Sequence, residues 1–394
     1  MFPTTRAAAL ARLEAFLPRA GRAYAASRNL DEGPGRRTHV SELSPAIRRR
    51  LVTEEEVARA AVAAHGLDGA EKFVAEVCWR SYWRGALETR PALWQRYLDD
   101  LLHLEGELAR DASLAARFAR AVRGETGIDC FDAWARELDA TGYLHNHARM
   151  SFASIWIFTL RLPWQLGAAH FFRHLLDACP ASNTLSWRWV AGLQTPGKTY
   201  LARADIIRRV SLGRFRVEAP LATSAPPPPP EPPAPLVPLA PLPEAAPDVP
   251  TGFFLHTEDL APETLPLPVR PRALAAVVAI GGDPAPPKRA YANAALADGI
   301  ARAAAHFDIA PERLAEEALE DEMRAFAARH RLAQILTPFA PVGPVAARLA
   351  RVAAALARDN VRLVPVRRAW DTRAFPHATR GFFAFRPVIP ALLA

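Results

Sequence analysis

Three cysteines in 394 residues leave little room for thiol chemistry. Cys78, Cys130 and Cys179 are odd in number and fit neither a disulfide framework nor a metal-ligand spacing. That excludes an iron–sulfur cluster and points to a reducing, cytoplasmic setting. Lysine is as scarce, at three of 49 basic residues. The remainder is arginine, whose planar fork suits bidentate contacts with phosphate. No apolar run approaches the ~18 residues of a membrane span, so none is expected. The opening stretch MFPTTRAAALARLEAFLPRAGR carries Glu14 among its apolar residues and reads as an amphipathic helix, not a targeting signal. His145 and His147 flank Asn146 with no third ligand in view, so no metal site is expected.

What is present divides the chain. Residues 1–220 hold 31 basic and 24 acidic side chains, a net of +7, while the rest holds 18 and 17, a net of +1. A basic first part suits a polyanionic partner bound through phosphates. The length accommodates two domains with sizeable cores. The first, 1–215, is helical in pattern. The second, 251–394, alternates buried strands (TGFFLHTEDL, RALAAVVAI, AQILTPFA, VRLVPVR) with helices at about 290–306, 312–330 and 344–358, the pattern of a small parallel sheet. Between them, 216–250 is a linker; Pro220 to Pro250 contains 14 prolines in 31 residues, which predicts an extended polyproline II spacer.

Several local signals stand out in the helical part. Tyr24 and Arg28 lie one turn apart before a polar loop. In SELSP, Ser44 suits an N-cap and Pro45 the first helical position, so Ser41 and Ser44 form either a simple cap or a phosphate seat at a helix start. Thr53 and Glu56 make a capping box for a helix running to Gly66, and a second helix follows Asp68. On that second helix Glu76, Trp79 and Trp83 form one stripe, either an aromatic core face with Glu76 paired to Arg80 or the wall of a site. Farther on, Arg149 follows Asn146 by three, Asp177 calls for an arginine partner, and Asn183 and Trp187 share a helical face, with Trp189 on the opposite side. Residues 192–199 (GLQTPGKT) fit the P-loop pattern letter for letter. A helical lead-in and the lack of a preceding β-type apolar run exclude a nucleoside-triphosphate site.

The ungapped run from Thr141 to Trp189, with YLHNHARM, Trp164 and LLDACPASNTLSWRW in order, resembles the flavin-binding helical domain of DNA photolyases and cryptochromes. SELSP resembles the family's flavin-diphosphate segment, with Val40 where the family carries Thr. Glu76-Val-Cys-Trp79-Arg80 matches its ExxWR, and Gly124, Thr126, Gly127 and Asp132 match its approach to the main flavin helices. The resemblance implies a multidomain α and α/β protein: a photolyase-type FAD-binding domain, a Pro-rich linker and a small Rossmann-like, antenna-like domain relocated to the C-terminal side. It implies FAD held by Tyr24, Ser41, Leu43, Ser44, Asn146, Arg149, Asp177, Cys179 and Asn183, with Arg149 and Asp177 paired. Cys179 stands where the family often has a second Asp. Trp187 and Trp164 match the proximal and middle tryptophans of the family's electron relay. Asp111 falls where the surface tryptophan belongs, leaving Trp156 and Trp134 as unranked exits. Glu76, Trp79, Met150 and Trp189 match the residues lining the dimer cavity, and Arg28, Arg80 and His147 the DNA side. The implied activity is FAD-dependent, blue-light-driven repair of cyclobutane pyrimidine dimers in DNA by a lyase acting as a monomer. The alternative is a cryptochrome-like photoreceptor without repair. The antenna pigment, if any, is unknown.

Overall fold

A computed structural model describes residues 2–394 apart from Pro196 and Pro230. Helices dominate up to Val210. Among the described residues, no helix or strand follows until Thr251, where the sheet begins. The Thr53–Glu56 box forms in full: the Thr53 hydroxyl accepts from the Glu56 N–H at 3.2 Å, and the Glu56 carboxylate accepts from the Thr53 N–H at 2.8 Å. It opens the helix Glu54–Glu88, the central beam of the molecule. The two helices expected to meet at Gly66 do so through that one residue, at φ 67° and ψ 165°, a conformation glycine adopts cheaply. The short helix Ser44–Arg48 begins one residue earlier than expected, with Leu43 at the cap and Ser44 already helical.

The sheet has five parallel strands: β1 (Thr251–His256), β2 (Ala273–Val277), β3 (Pro311–Arg313), β4 (Gln334–Pro338) and β5 (Arg362–Val366), in the order β3-β2-β1-β4-β5. This is a doubly wound arrangement with its switch point between β1 and β4. The helix expected over 312–330 starts only at Leu319, because 311–313 pairs with β2. Alternation along β1 sends Phe253 and Leu255 to one face and Phe254 to the other. Phe253 and Leu255 belong to the same apolar core as Leu13, Val77 and Trp83 of the helical part. One core therefore runs through both regions.

Two further contacts fasten the ends. Trp370 donates its indole N–H to the Ser81 hydroxyl at 2.8 Å. Gly85 permits the close approach of the C-terminal segment: a Cβ there would sit 2.8 Å from the Phe375 backbone and from Ala378. The proline-rich stretch, expected as a spacer, is instead a strap. Glu231 takes a paired contact from Arg188 at 2.9 and 3.0 Å, the Val237 N–H donates to the Thr89 carbonyl, and the Ala246 N–H donates to the Gln334 side chain. Proline offers no N–H for a regular ladder, so these few donors and acceptors carry the docking.

Candidate functional site

The helical region encloses a cavity of about 560 Å³, within the ~300–1,000 Å³ usual for ligand clefts. Its floor is built by two neighbouring helix starts. Ser41, Leu43 and Ser44 line it from the turn into Ser44–Arg48, and Asp177 from the loop before the helix Pro180–Ala191. Arg149, on the helix Asn146–Ser154, donates two parallel bonds to Asp177 at 3.0 and 2.9 Å. Burial pushes the Asp177 carboxyl up, but the Arg149 charge and hydrogen bonds, then Arg80 and the Ser44 hydroxyl, hold it below its ordinary range. Tyr143 lies under both Arg149 and Arg37, its ring centroid 5.3 and 5.1 Å from their guanidinium carbons.

Asn183 lines the cavity from the helix Pro180–Ala191, its amide nitrogen donating to the Ala168 carbonyl at 2.8 Å. That leaves the side-chain oxygen uncommitted. Glu76 lies on the Glu54–Glu88 helix, and its partner is Arg28, not Arg80. Burial raises the Glu76 carboxyl above its ordinary value, opposed by Arg28 and Lys72. Trp79, Met150 and Trp189 line the same space, and Tyr24, Arg28 and Asn146 complete the set that the sequence brought forward. Asn146 reaches Met150 Sδ at 3.7 Å.

Two other expected residues, Cys179 and His147, fall outside the lining. Cys179 caps the helix Pro180–Ala191, its sulfur accepting from the Ser182 N–H at 3.3 Å. His147 faces Arg28 and Arg209, and its imidazole is held below its usual pKa by burial and by those cations. Arg80, expected on a DNA-facing surface, turns inward instead. Its Nη2 donates to the Ser44 carbonyl at 3.4 Å, and its Nη1 is buried without a partner in the cavity wall. With Glu76 drawn to Arg28, nothing holds Arg80 at the surface.

The aromatic residues at the cavity wall and beyond it separate into three groups. Trp187 and Trp156 both pack on Gly167, in a T-shaped pair at 6.2 Å. Trp164 stacks on Tyr97 at 5.7 Å, and Tyr97 meets half-buried Trp94 at 5.3 Å. Trp134 contacts Phe215 at 5.4 Å. Asp111 serves as a helix cap, accepting from the Ser113 and Leu114 N–H groups at 2.8 and 3.0 Å. Among the described residues, no cluster of His, Cys, Asp and Glu suits a metal ion, and no helix is long and apolar enough to cross a membrane. The stretch around Gly192 follows a helix and leads into turns, unlike a phosphate-binding loop after a strand; Pro196 within it lies outside the described residues.

Residues 73–214 match the family described as the FAD binding domain of DNA photolyase. That stretch of the helical region is similar to a photolyase-type FAD-binding domain. Curated relatives named deoxyribodipyrimidine photo-lyase include one from Streptomyces griseus, 35% identical over 43% of this chain and 38% of its own length. Another, from Thermus thermophilus, is 35% identical over 49% of this chain and 44% of its own length. The chain thus spans less than half the length of these relatives. Among solved structures, a class III photolyase from Agrobacterium tumefaciens aligns at 28% identity and a TM-score of 0.42, over 52% of this chain and 44% of that one. A Synechocystis cryptochrome aligns at 21% identity with the same score, over 52% and 43%.

The cofactor of this domain is FAD, and the cavity fits it on its own chemistry. The partnerless Arg80 Nη1, with Ser41 and Ser44 at a helix start, forms a donor set for a diphosphate. The uncommitted oxygen of Asn183 and the fixed Arg149–Asp177 pair supply neutral and charged hydrogen-bonding edges for a planar heterocycle. Sequence reasoning missed Arg80 as part of this set. The i,i+4 spacing from Glu76 invited a surface pair, and no sequence signal marks Arg28 as the competing cation.

Proposed function

We propose that this protein is a FAD-dependent, blue-light-driven photolyase acting on cyclobutane pyrimidine dimers in DNA. One observation carries the reading: Glu76, Trp79, Met150 and Trp189 share a single cavity with Ser44, Asp177 and Asn183. Substrate-side and cofactor-side residues therefore open onto the same space, which one-electron chemistry between them requires.

The chemistry supplied by bound reduced FAD in this reading is light-driven loan of one electron to the dimer. The chain does the rest. Arg28 and Arg209 beside His147 offer phosphate contacts at the rim. Trp79 and Trp189 give apolar walls to an extruded pyrimidine pair, and a lesion whose stacking is already weakened flips out at least cost. Glu76, whose carboxyl is raised above its ordinary value by burial, is placed to hydrogen-bond the dimer. The sheet region, antenna-like in its doubly wound order, acts in this reading mainly as the support of the flavin seat.

The test is a repair assay. Protein with chemically reduced flavin is mixed with an oligonucleotide carrying one thymine dimer, in blue light and in darkness. Restoration of thymines in light alone is the expected result; no restoration in either sinks the reading. A second reading, a flavin photoreceptor without repair, draws on Asp111 in place of a surface tryptophan and on the engagement of Glu76 by Arg28. Glu76→Ala separates the two: it cripples repair in a photolyase and leaves a sensor's photochemistry intact.

A further inference from the structure

Among the large apolar side chains exposed in the described structure, Phe383 is the most exposed, at 82%. It comes from the far end of the chain, yet it lines the flavin cavity. A lone exposed apolar residue is ordinary on a protein surface. Phe383 differs in being held there by a rigid mount. Its neighbour Phe382 is buried and stacks on Trp79, ring centroids 3.8 Å apart and planes within 12°. Phe382 and Phe385 both pack on Tyr82, whose hydroxyl donates to the Arg380 carbonyl at 2.8 Å. Arg90 donates to the Thr379 carbonyl just upstream. These contacts fix the turn that projects Phe383.

The same mount changes what Trp79 can do. One indole face is covered by Phe382, so a base cannot stack there. The aromatic face left to an incoming ligand on this side of the mouth is that of Phe383. Arginines surround it: Arg380 and Arg386 are exposed on either side of the turn, Arg386 beside Glu71, and Arg28 lines the cavity in its pair with Glu76. An exposed ring among arginines, at the mouth of a base-sized cleft, is the combination that binds single-stranded or looped-out nucleic acid.

We propose that Phe383 is a base-stacking residue of the DNA-binding mouth, contacting a nucleobase of the damaged strand at or beside the extruded dimer. The inference rests on the photolyase reading and adds a substrate contact from outside the FAD-binding domain. Its test is dark binding of the full chain, flavin bound, to a short single-stranded oligonucleotide with one thymine dimer, followed by fluorescence anisotropy. Phe383→Ala is expected to raise Kd roughly tenfold, the loss of about one base stack. Flavin content and Tm should stay at wild-type values, since the ring is exposed. Phe383→Trp should restore binding, with its indole emission quenched by the oligonucleotide, and Phe383→Leu should not. Unchanged binding by Phe383→Ala, or full rescue by Leu, overturns the assignment of stacking while light-driven repair by the wild type still stands. If the wild type neither repairs nor prefers the dimer oligonucleotide over an undamaged one, the photolyase reading falls and this inference with it.

Discussion

The molecule has two places where a ligand would ordinarily sit, and it treats them in opposite ways. In the helical region, a cavity is kept open and lined with an uncommitted donor and acceptor, Arg80 Nη1 and the Asn183 oxygen, beside the serines at the Ser44–Arg48 helix start. In the sheet region, the crevice beyond the carboxyl ends of β1 and β4 is where doubly wound folds take nucleotides. Here that crevice is filled from the helical side. Thr257, Glu258 and Asp259, just past β1, are buried. Arg48 grips Glu258 with two bonds of 2.6 Å, Arg49 donates to the Thr257 carbonyl at 3.2 Å, and Arg50 reaches Asp259 at 3.2 Å and Asp371 at 2.7 Å. These arginines continue directly from the helix whose start seats Ser44, and Arg48 also donates to the Ala178 carbonyl, next to Asp177. The filled crevice thus braces the open cavity, and the cost of burying its charges is met only while every partner is present.

Acid should produce the largest effect, and it should strike the two places in sequence. At the crevice, burial pushes Glu258, Asp259 and Glu54 up, but their arginines more than reverse this and hold each at about 2. For a depressed carboxyl, the stability it contributes is complete above its unfolded value and is lost as pH falls through the folded one. With unfolded values of 4.5 for Glu and 3.8 for Asp, that window runs from pH 4.5 down to 2. Glu76 in the cavity is raised, so it takes its proton above that window. Acid titration of near-ultraviolet dichroism should show the cooperative loss of both regions inside the window. A flavin spectral change should precede it and vanish in Glu76→Gln. A single transition for everything would erase the distinction between the two places.

Next in size is Glu258→Ala, which strands the buried Arg48 guanidinium. Removing one member of a buried pair costs ~3–5 kcal/mol, so a drop in Tm with release of flavin is expected. The double change Arg48→Met with Glu258→Leu should recover most of the loss, because the charges are then removed together. If the single change releases flavin no more readily than wild type, the crevice does not brace the cavity. Asp177→Asn tests the cavity alone. It weakens a bidentate, charge-assisted pair worth about 1.5–3 kcal/mol, so flavin affinity should fall about tenfold or more with little change in guanidinium midpoint. A loss of fold equal to that of Glu258→Ala would mean that the cavity pair is structural after all.

Much of this was legible in the sequence, and the omissions share one cause. Signals that act within a turn or two were readable: the Thr53–Glu56 box, the break at Gly66 and four of the five strands. The Arg149–Asp177 pair was readable only through resemblance, since 28 residues separate its members. β3 was not, because Pro311, Glu312 and Arg313 carry no apolar alternation and pair only at a sheet edge. The Arg48–Arg50 run gave no readable signal, since its partners Glu258, Asp259 and Asp371 lie more than 200 residues away. Phe382 on Trp79 is hidden for the same reason, and the strap of 220–250 looked free because its anchors are on elements distant in sequence.

Cys179→Asp should have the smallest effect, and it asks whether the open cavity has a donor to spare. Cys179 now caps its helix through a weak sulfur acceptor, 3.3 Å from the Ser182 N–H. A carboxylate at the same place is a stronger N-cap and sits at the positive end of the helix, together worth about 0.5–1 kcal/mol. Burial would oppose the new charge, but Arg80 lies close enough to feel the Cys179 side chain, and its Nη1 has no partner. If Arg80 Nη1 is reserved for FAD, the aspartate competes with the cofactor for it. A modest rise in the Tm of flavin-free protein is then accompanied by a weaker Kd for FAD. If both Tm and FAD affinity rise, Arg80 has capacity for two acceptors and the second acid of the family's pattern fits this cavity unchanged. A fall in Tm would show that desolvation outweighs the cap, and that the cysteine is the better fit to so buried a position.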